Sequence, residues 1–564
     1  MALACDYDGT LATDGHVEAA TLAALDRLQA SGRKLILVTG RQLEDLAQAF
    51  PEYVRFDRVV AENGALLCRP AEKDATPLAE PPPDGFVDAL RRRQVTPLSV
   101  GRAIVATWQP NEAAVLDAIR DLGLELQIVF NKGAVMVLPS GVNKATGLEA
   151  ALAELGFSPH NVAGIGDAEN DHAFLRLCGC SAAVANALDA IKETADVATA
   201  GARGAGVIEL VEHMLQDDLA GIDRLAQRHR VPLGEDAEGH PLHLPMRDTN
   251  VLLTGTSGGG KSTLTAGLLE RLIAQGYQFC VVDPEGDYEG FEGALGIGDS
   301  GLAPDAGKVL ELLERPQQSV IVNLLGIKLA DRPRFFAELL PSLQQLRVRT
   351  ARPHWIVVDE AHHMLPPDWQ RTGDAAAPWT GSFLITVHPD KMAPAALKAV
   401  DTLIVLGRAV EDSVAGFRQQ TGWPAPAALP TPESGEALLF RQDAAAPRRF
   451  RVVPPKGERQ RHVRKYAEGK LGDDKSFYFR GPDLRLNLRA HNLELFLQIG
   501  DGVDDETWLH HLRAGDYSRW LRESIKDAEL ADAVAATEAR QDLPPAESRR
   551  RIREAIEKRY TGAA

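Results

Sequence analysis

Twice in this chain a short apolar run breaks off into a polar, glycine-bearing turn, and an amphipathic segment follows. The first case is residues 3–12, LACDYDGTLA; the second is residues 250–263, NVLLTGTSGGGKST. A strand that delivers polar groups from its carboxyl end into a helix start is the unit of a parallel sheet covered by helices. Ligands of such sheets bind outside the carboxyl ends of the strands, where both turns fall. In the first turn Asp6 and Asp8 stand one residue apart, and like charges at that range push one carboxyl pKa up. That arrangement asks for a compensating positive charge.

The chain has 564 residues, which at roughly 150 per domain makes room for three or four domains. Its net charge of −17 argues against wholesale nucleic-acid binding while leaving room for a local basic patch. Cys5, Cys68, Cys178, Cys180 and Cys280 are odd in number and lack zinc spacing, so they read as reduced, mostly buried thiols. No basic stretch precedes an apolar segment at the N-terminus, and no apolar run nears the ~20 residues that span a bilayer. The expectation is a cytoplasmic protein without a membrane partner.

Along residues 1–215, strand-like runs (MALACDY, KLILVTGR, DRVVAENGALL) alternate with helical periodicity and glycine stops. Residues 70–84 are proline-rich and read as a connection; the stretch that follows reads as a small α/β insert. Polar residues gather at the strand ends: Asp6 and Asp8, Thr39 and Arg41, then Lys144 at a helix start, then Asp167 and Asp171. Four carboxylates, a lysine and a hydroxyl suit phosphoryl chemistry on Mg²⁺. The hard cation takes oxygen ligands, one carboxylate can attack phosphorus, and a second can shuttle the leaving-group proton. The lysine and hydroxyl can hold phosphoryl oxygens. Mg²⁺ and Lys144 would offset the Asp6–Asp8 repulsion.

The motifs Asp6-Tyr7-Asp8-Gly9-Thr10, Thr39-Gly40-Arg41, Glu62-Asn63-Gly64-Ala65, Asn143-Lys144 and Gly166-Asp167-Ala168-Glu169-Asn170-Asp171 occur in this order. They resemble the haloacid dehalogenase (HAD) phosphatase superfamily, in its Cof and sucrose-phosphate-phosphatase type. The resemblance implies a HAD Rossmann-like core over 1–215 with an α/β cap over about 85–141. It implies Asp6 as nucleophile, Asp8 as general acid/base, and Thr39 and Lys144 on the phosphate. Mg²⁺ would sit on Asp6, the Asp8 carbonyl and Asp167, with Asp171 in support. A large cap favours small phosphorylated metabolites such as sugar phosphates or phosphoglycolate. Asn131 and Lys132 in the cap are either substrate contacts or a plain turn.

The second unit fits G-x-x-x-x-G-K-[ST] in its required strand–turn–helix context. Gly255, Ser257, Gly258, Gly260 and Thr263 would let the backbone wrap the phosphates of ATP; Lys261 would add a charge and Ser262 would reach Mg²⁺. Further apolar strands end in Asp283, in Asp359-Glu360 and in Thr386 with His388. Asp359 suits water-mediated Mg²⁺ binding, and Glu360 can polarise a water. Adjacent His362 and His363 read as helix neighbours that point apart, not as metal ligands. With LGEDAEGHPLHLP ahead of the turn, residues 230–455 resemble the HerA/FtsK-type ATPases, which implies a RecA-like P-loop domain over 216–455. That family implies a homo-oligomer, often a hexamer, with an arginine finger; Arg408 and Arg418 are candidates. The resemblance departs at His388, where the family often carries Gln, and the barrel typical of HerA proteins is not apparent.

Residues 456–474 read as a basic linker, and 475–564 as a small, mainly helical domain. There ETWLHHLRAGDYSRWLRESI has helical spacing, Trp508, Leu512, Trp520 and Leu521 look like core, and ESRRRIREAIEKRY looks solvated. The leading reading is a phosphatase for a small phosphorylated substrate fused to an ATPase. A nucleic-acid translocase with an associated phosphatase, and an ATP-dependent scaffold, are the alternatives.

Overall fold

The computed structural model describes every residue except 132, 224–229, 247–248, 257–258, 370–379, 408, 427–428, 443, 445, 457–470, 472–474, 483, 526, 541 and 561–564. The expectations for Lys132, Ser257, Gly258, Arg408 and most of the basic linker lie outside the described residues. The chain forms two compact units: Met1–Gly255 with Arg271–Arg451, and Thr256–Glu270 with Val452–Ala564.

The first unit holds an eight-stranded and an eleven-stranded sheet. In the eight-stranded sheet, Ala2–Asp6 lies between Lys34–Val38 and Val162–Gly166, parallel to both. Every residue of Ala2–Asp6 is buried, so its apolar side chains fill the core and Asp6 arrives mid-edge. Cys180–Ala183 and Arg58–Ala61 extend the parallel centre on either side. The run expected as one strand, DRVVAENGALL, is two. Arg58–Ala61 turns through Glu62–Gly64 into Leu66–Arg69, which pairs back antiparallel. The reversal falls on Glu62-Asn63-Gly64, where an Asn-Gly turn signal separates two apolar arms. The proline-rich connection contributes an edge strand, Asp74–Pro77, where missing donors matter least.

Within the cap, helices Asp84–Arg92 and Glu112–Asp121 share a core with an antiparallel sheet in the order Ser99–Val100, Val105–Trp108, Ala134–Pro139, Leu126–Asn131. The eleven-stranded sheet has Asn250–Gly255 at its heart, between Thr402–Leu406 and Ser382–Thr386. Trp355–Val358, Phe279–Asp283, Ser319–Asn323 and Ala294–Ile297 continue it in parallel. The segment LGEDAEGHPLHLP folds into the hairpin Val231–Glu235 and Pro241–Leu244 at the other end.

A seam joins the two sheet layers of this unit. The ring of His160 stacks on Tyr277 with centroids 3.9 Å apart, and His354 meets both rings edge-on. The guanidinium of Arg352, fully buried, donates to the carbonyls of Gly156 (2.7 Å), Leu313 (2.9 Å) and Glu314 (3.1 Å) and to Gln278 Oε1 (3.0 Å). Four acceptors make that burial tolerable.

In the second unit, the hairpin Phe477–Phe479/Leu488–Ala490 and helices Leu493–Gly502, Asp505–Ala514, Asp516–Glu523, Ala528–Glu538 and Pro545–Tyr560 enclose an aromatic core. Trp508, Leu512, Trp520 and Leu521 belong to it, as expected. Two expectations change. The single helical run is broken at Gly515, whose φ of +68° ends one helix and starts the next. The last helix is not simply solvated: Ser548, Ile552, Ile556 and Tyr560, each four apart on one face, are buried. Its arginines mask that stripe by pairing along the exposed face with Glu547 and Glu554.

All five cysteines are free and buried. Among the described residues no helix is long and apolar enough to cross a membrane.

Candidate active sites

Helix Lys144–Leu155 opens on an Asn143 cap that accepts from the Ala145 and Thr146 amides at 2.8 and 3.1 Å. This fixes the first helical residue, Lys144, pointing inward and buried. Its ammonium donates to Asp6 Oδ1 and to Asp171 Oδ1, both at 2.6 Å. The other oxygen of Asp171 accepts the Asp167 and Ala168 amides at 2.9 Å, closing the turn after Val162–Gly166. The Thr10 hydroxyl donates to Asp167 at 3.3 Å. Oxygens of Asp6, Asp167 and Asp171 lie within 4.8 Å of one another.

Burial, and then the Asp171 charge, push Asp6 up to about 7 despite Lys144. Burial by itself would lower the Lys144 pKa; Asp171 and Asp6 outweigh it and hold the ammonium above its ordinary range. Three clustered carboxylates against one lysine make a compact all-oxygen donor set, which fits a hard divalent cation. Asp8 faces outward, held in a fork by Arg41 Nε and Nη2 at 2.7 Å each. Arg41 also reaches Asp45 (2.9 Å) and lies over the Tyr7 ring. Buried Thr39 accepts the Arg41 amide at 3.1 Å. The cap comes down on this turn: a Cβ at Gly40 would lie 3.7 Å from Met136 Sδ and from Asn170 Nδ2. Thr10 and the Asn170–Asn63 hydrogen bond (3.0 Å) carry no role in the sequence reading, although both sit inside quoted motifs.

In the eleven-stranded sheet, the Asp283 carboxylate caps its own turn, accepting the amides of Glu285, Asp287 and Tyr288. Asp359 follows Trp355–Val358, is buried, and accepts the Glu360 amide at 2.8 Å. Burial first, then the charges of Asp283 and Glu360, push it up to about 7. Glu360 is left-handed at φ +40° and leads into a tight turn, Ala361–His363. That turn overturns the expectation that His362 and His363 point apart: their rings are 4.0 Å from each other. His362 Nδ1 lies 3.0 Å from Thr386 Oγ1 and 3.5 Å from Glu360 Oε2. Thr386 Oγ1 in turn accepts the His388 amide at 2.9 Å. His388 thus stands one residue pair away from Glu360, through Thr386 and His362. Gly255 is demanded by packing: at φ +146°, a Cβ would lie 2.1 Å from the Leu406 carbonyl oxygen. Arg418 Nε donates to the Trp423 carbonyl at 3.0 Å.

In the second unit, Lys261 begins helix Lys261–Ala274, and its ammonium donates to the Thr256 carbonyl at 3.1 Å. Gly260 supplies the left-handed turn at φ +94°; Ser262 is exposed and Thr263 half-buried.

Residues 3–81 and 117–211 match the family model of haloacid dehalogenase-like hydrolases. A phosphoglycolate phosphatase of Halorubrum lacusprofundi is 34% identical over 215 residues, which span 35% of this chain and 90% of that protein. The chain belongs to the haloacid dehalogenase-like hydrolases. Phosphoglycolate phosphatase 2 of Saccharolobus solfataricus is 29% identical to this hydrolase, across 38% of this chain and 91% of that protein. A haloacid dehalogenase-like hydrolase of Bacteroides thetaiotaomicron, of known structure, aligns with 38% of this chain and 98% of its own at 18% identity and a TM-score of 0.33. Residues 245–331 of the hydrolase match the model of the central domain of the helicase HerA. One chain therefore joins a HAD-type phosphatase to a HerA-like P-loop ATPase.

Proposed function

We propose that this chain is a bifunctional phosphohydrolase. Its N-terminal part, residues 1–215, hydrolyses a small phosphomonoester through an aspartyl-phosphate; residues 216–455 hydrolyse ATP; 475–564 form a separate helical domain. The observation that carries the reading is the buried Lys144 bridging Asp6 and Asp171 beneath a cap. Phosphoglycolate is the foremost substrate, because curated relatives carry that name; sugar phosphates are the next class.

In this reading Asp6 attacks phosphorus and the P–O bond to the leaving group breaks. Asp8 gives that oxygen its proton, then takes one from the water that cleaves the aspartyl-phosphate. The Arg41 fork fixes where Asp8 stands. Thr39 and Lys144 hold phosphoryl oxygens. Asp6, Asp167 and the Asp8 carbonyl would hold Mg²⁺, with Asp171 in support; bound there, the ion neutralises developing charge on the phosphoryl group. In the ATPase, Lys261, Ser262 and the surrounding turn take the phosphates of ATP and its Mg²⁺. Asp359 supports the ion through water, Glu360 polarises the attacking water, and His388 senses the nucleotide. The protein works as a cytoplasmic homo-oligomer, a hexamer by analogy with HerA-type rings.

The test is phosphate release from phosphoglycolate and a panel of sugar phosphates, for wild type and Asp6→Asn, with and without ATP and Mg²⁺. Asp6-dependent turnover of one compound supports the reading; none from any compound defeats the phosphatase half. The HerA match also favours a second reading, a DNA-dependent motor, which duplex DNA should reveal by raising ATP turnover.

A further inference from the structure

The turn Glu62–Gly64 carries a buried carboxylate that the phosphoryl chemistry leaves unused. Glu62 is fully buried, yet its side chain reaches out of the core and into the cap. Oε1 accepts the amide of Arg102 at 3.0 Å; Oε2 accepts those of Ala103 and Ile104 at 2.8 and 3.1 Å. These successive amides form the link between cap strands Ser99–Val100 and Val105–Trp108. Charge-assisted bonds from three backbone donors are what let a carboxylate remain in such a place.

The rest of the turn faces the phosphatase site. The Glu62 amide donates to the Arg41 carbonyl at 2.9 Å, and the Asn63 amide to that of Thr39 at 3.0 Å. Asn63 Oδ1 accepts from Asn170, next to Asp171. Gly64 packs so tightly that a Cβ would lie 1.9 Å from the Asn143 carbonyl oxygen, at the start of the Lys144 helix. Glu62 and Asn63 both hold left-handed backbone, at φ +50° and +54°. Non-glycine residues keep that conformation where their surroundings over-determine it, and such places cluster at functional sites.

We propose that Glu62 is a latch that seats the cap on the core. It is a positioning residue, setting how closely the cap closes over the Thr39–Arg41 turn while touching neither substrate nor reacting atoms. The proposal builds on the phosphatase reading above. Gly101 offers a second way to strike the same contact, since a Cβ there would lie 2.8 Å from Glu62 Oε2.

The experiment uses the full chain as wild type, Glu62→Gln, Gly101→Ala, Glu62→Asp, and the Glu62→Asp/Gly101→Ala pair. Two quantities are measured: KM and kcat for p-nitrophenyl phosphate, and hydrogen exchange of the amides of residues 102–104 against those of residues 2–6. Each single variant should raise KM about tenfold with kcat within about threefold. Exchange should quicken at 102–104 only. In the pair, the shorter acid makes room for the added methyl, and KM should return most of the way to wild type. Single variants that exchange like wild type at 102–104, or a pair whose defects simply add, overturn the latch. Absence of turnover in wild type would count against the phosphatase reading alone, and the exchange pattern still decides the latch.

Discussion

The phosphatase site and the ATPase sheet both bring buried carboxylates to the carboxyl ends of parallel strands, and they treat the resulting repulsion differently. Around Asp6 the fold supplies its own cation: Lys144 sits between Asp6 and Asp171 at hydrogen-bonding distance from each. Around Asp359 the charges that act most strongly are those of Asp283, Glu360 and Glu285, all negative. Both carboxyls end up raised to about 7. The phosphatase site is thus held together by an internal ion triad. At the ATPase edge the opposing charge of Arg332 falls on Glu285 and Asp283, and Asp359 itself is crowded by carboxylates.

The largest effect should come from chemistry. Asp6→Asn should cut phosphate release at least about 10³-fold while leaving ATP hydrolysis intact, and Lys261→Ala should do the converse. A variant that silences both activities would show that the two regions are not independent.

Stability should separate them next. Lys144→Met strands two buried carboxylates and should cost about 3–5 kcal/mol in denaturant unfolding. Asp359→Asn removes a charge that the fold disfavours, so with a chelator present it should be neutral or stabilising, by on the order of 1 kcal/mol. The sign follows from linkage. A carboxyl raised in the folded state is destabilising once ionised, so its burden grows as pH rises from about 4 towards 7. Asp359→Asn should flatten that part of the pH–stability curve, and excess Mg²⁺·ATP should offset it in wild type. Equal costs for the two substitutions would break the comparison.

The seam sets how far the two regions unfold together. Arg352→Met leaves the carbonyls of Gly156, Leu313 and Glu314 short of a donor and should cost about 2–4 kcal/mol. In calorimetry it should split one transition of this unit into two. Tyr277→Leu, which removes the stack on His160 and the edge contact with His354, should cost about 1 kcal/mol. An unsplit transition in Arg352→Met would mean that other contacts bind the layers.

Much of the phosphatase site was legible because each group lies at the end of a recognisable strand or the start of a recognisable helix. Asp6, Thr39, Lys144 and Asp167 are all placed by local pattern. The hairpin at Glu62 was marked in the sequence by Asn63-Gly64, a turn signal between two apolar arms; the left-handed backbone at Glu62 is what residue type does not reveal. The buried stripe of the last helix was present at four-residue spacing but hidden among arginines. The His362–His363 contact depended on the backbone conformation of Glu360, which residue type does not reveal.

By itself, then, the sequence determined which chemistries this chain carries and on which strand ends they sit, because burial periodicity and turn chemistry act within a few residues. Only the tertiary structure decided the partners: Lys144 with Asp6, 138 residues away, Arg352 with Gly156, 196 away, and Glu62 with the cap amides. Those pairings follow from strand order and from how the sheets and cap pack, and hydrophobic patterning along the chain is blind to both.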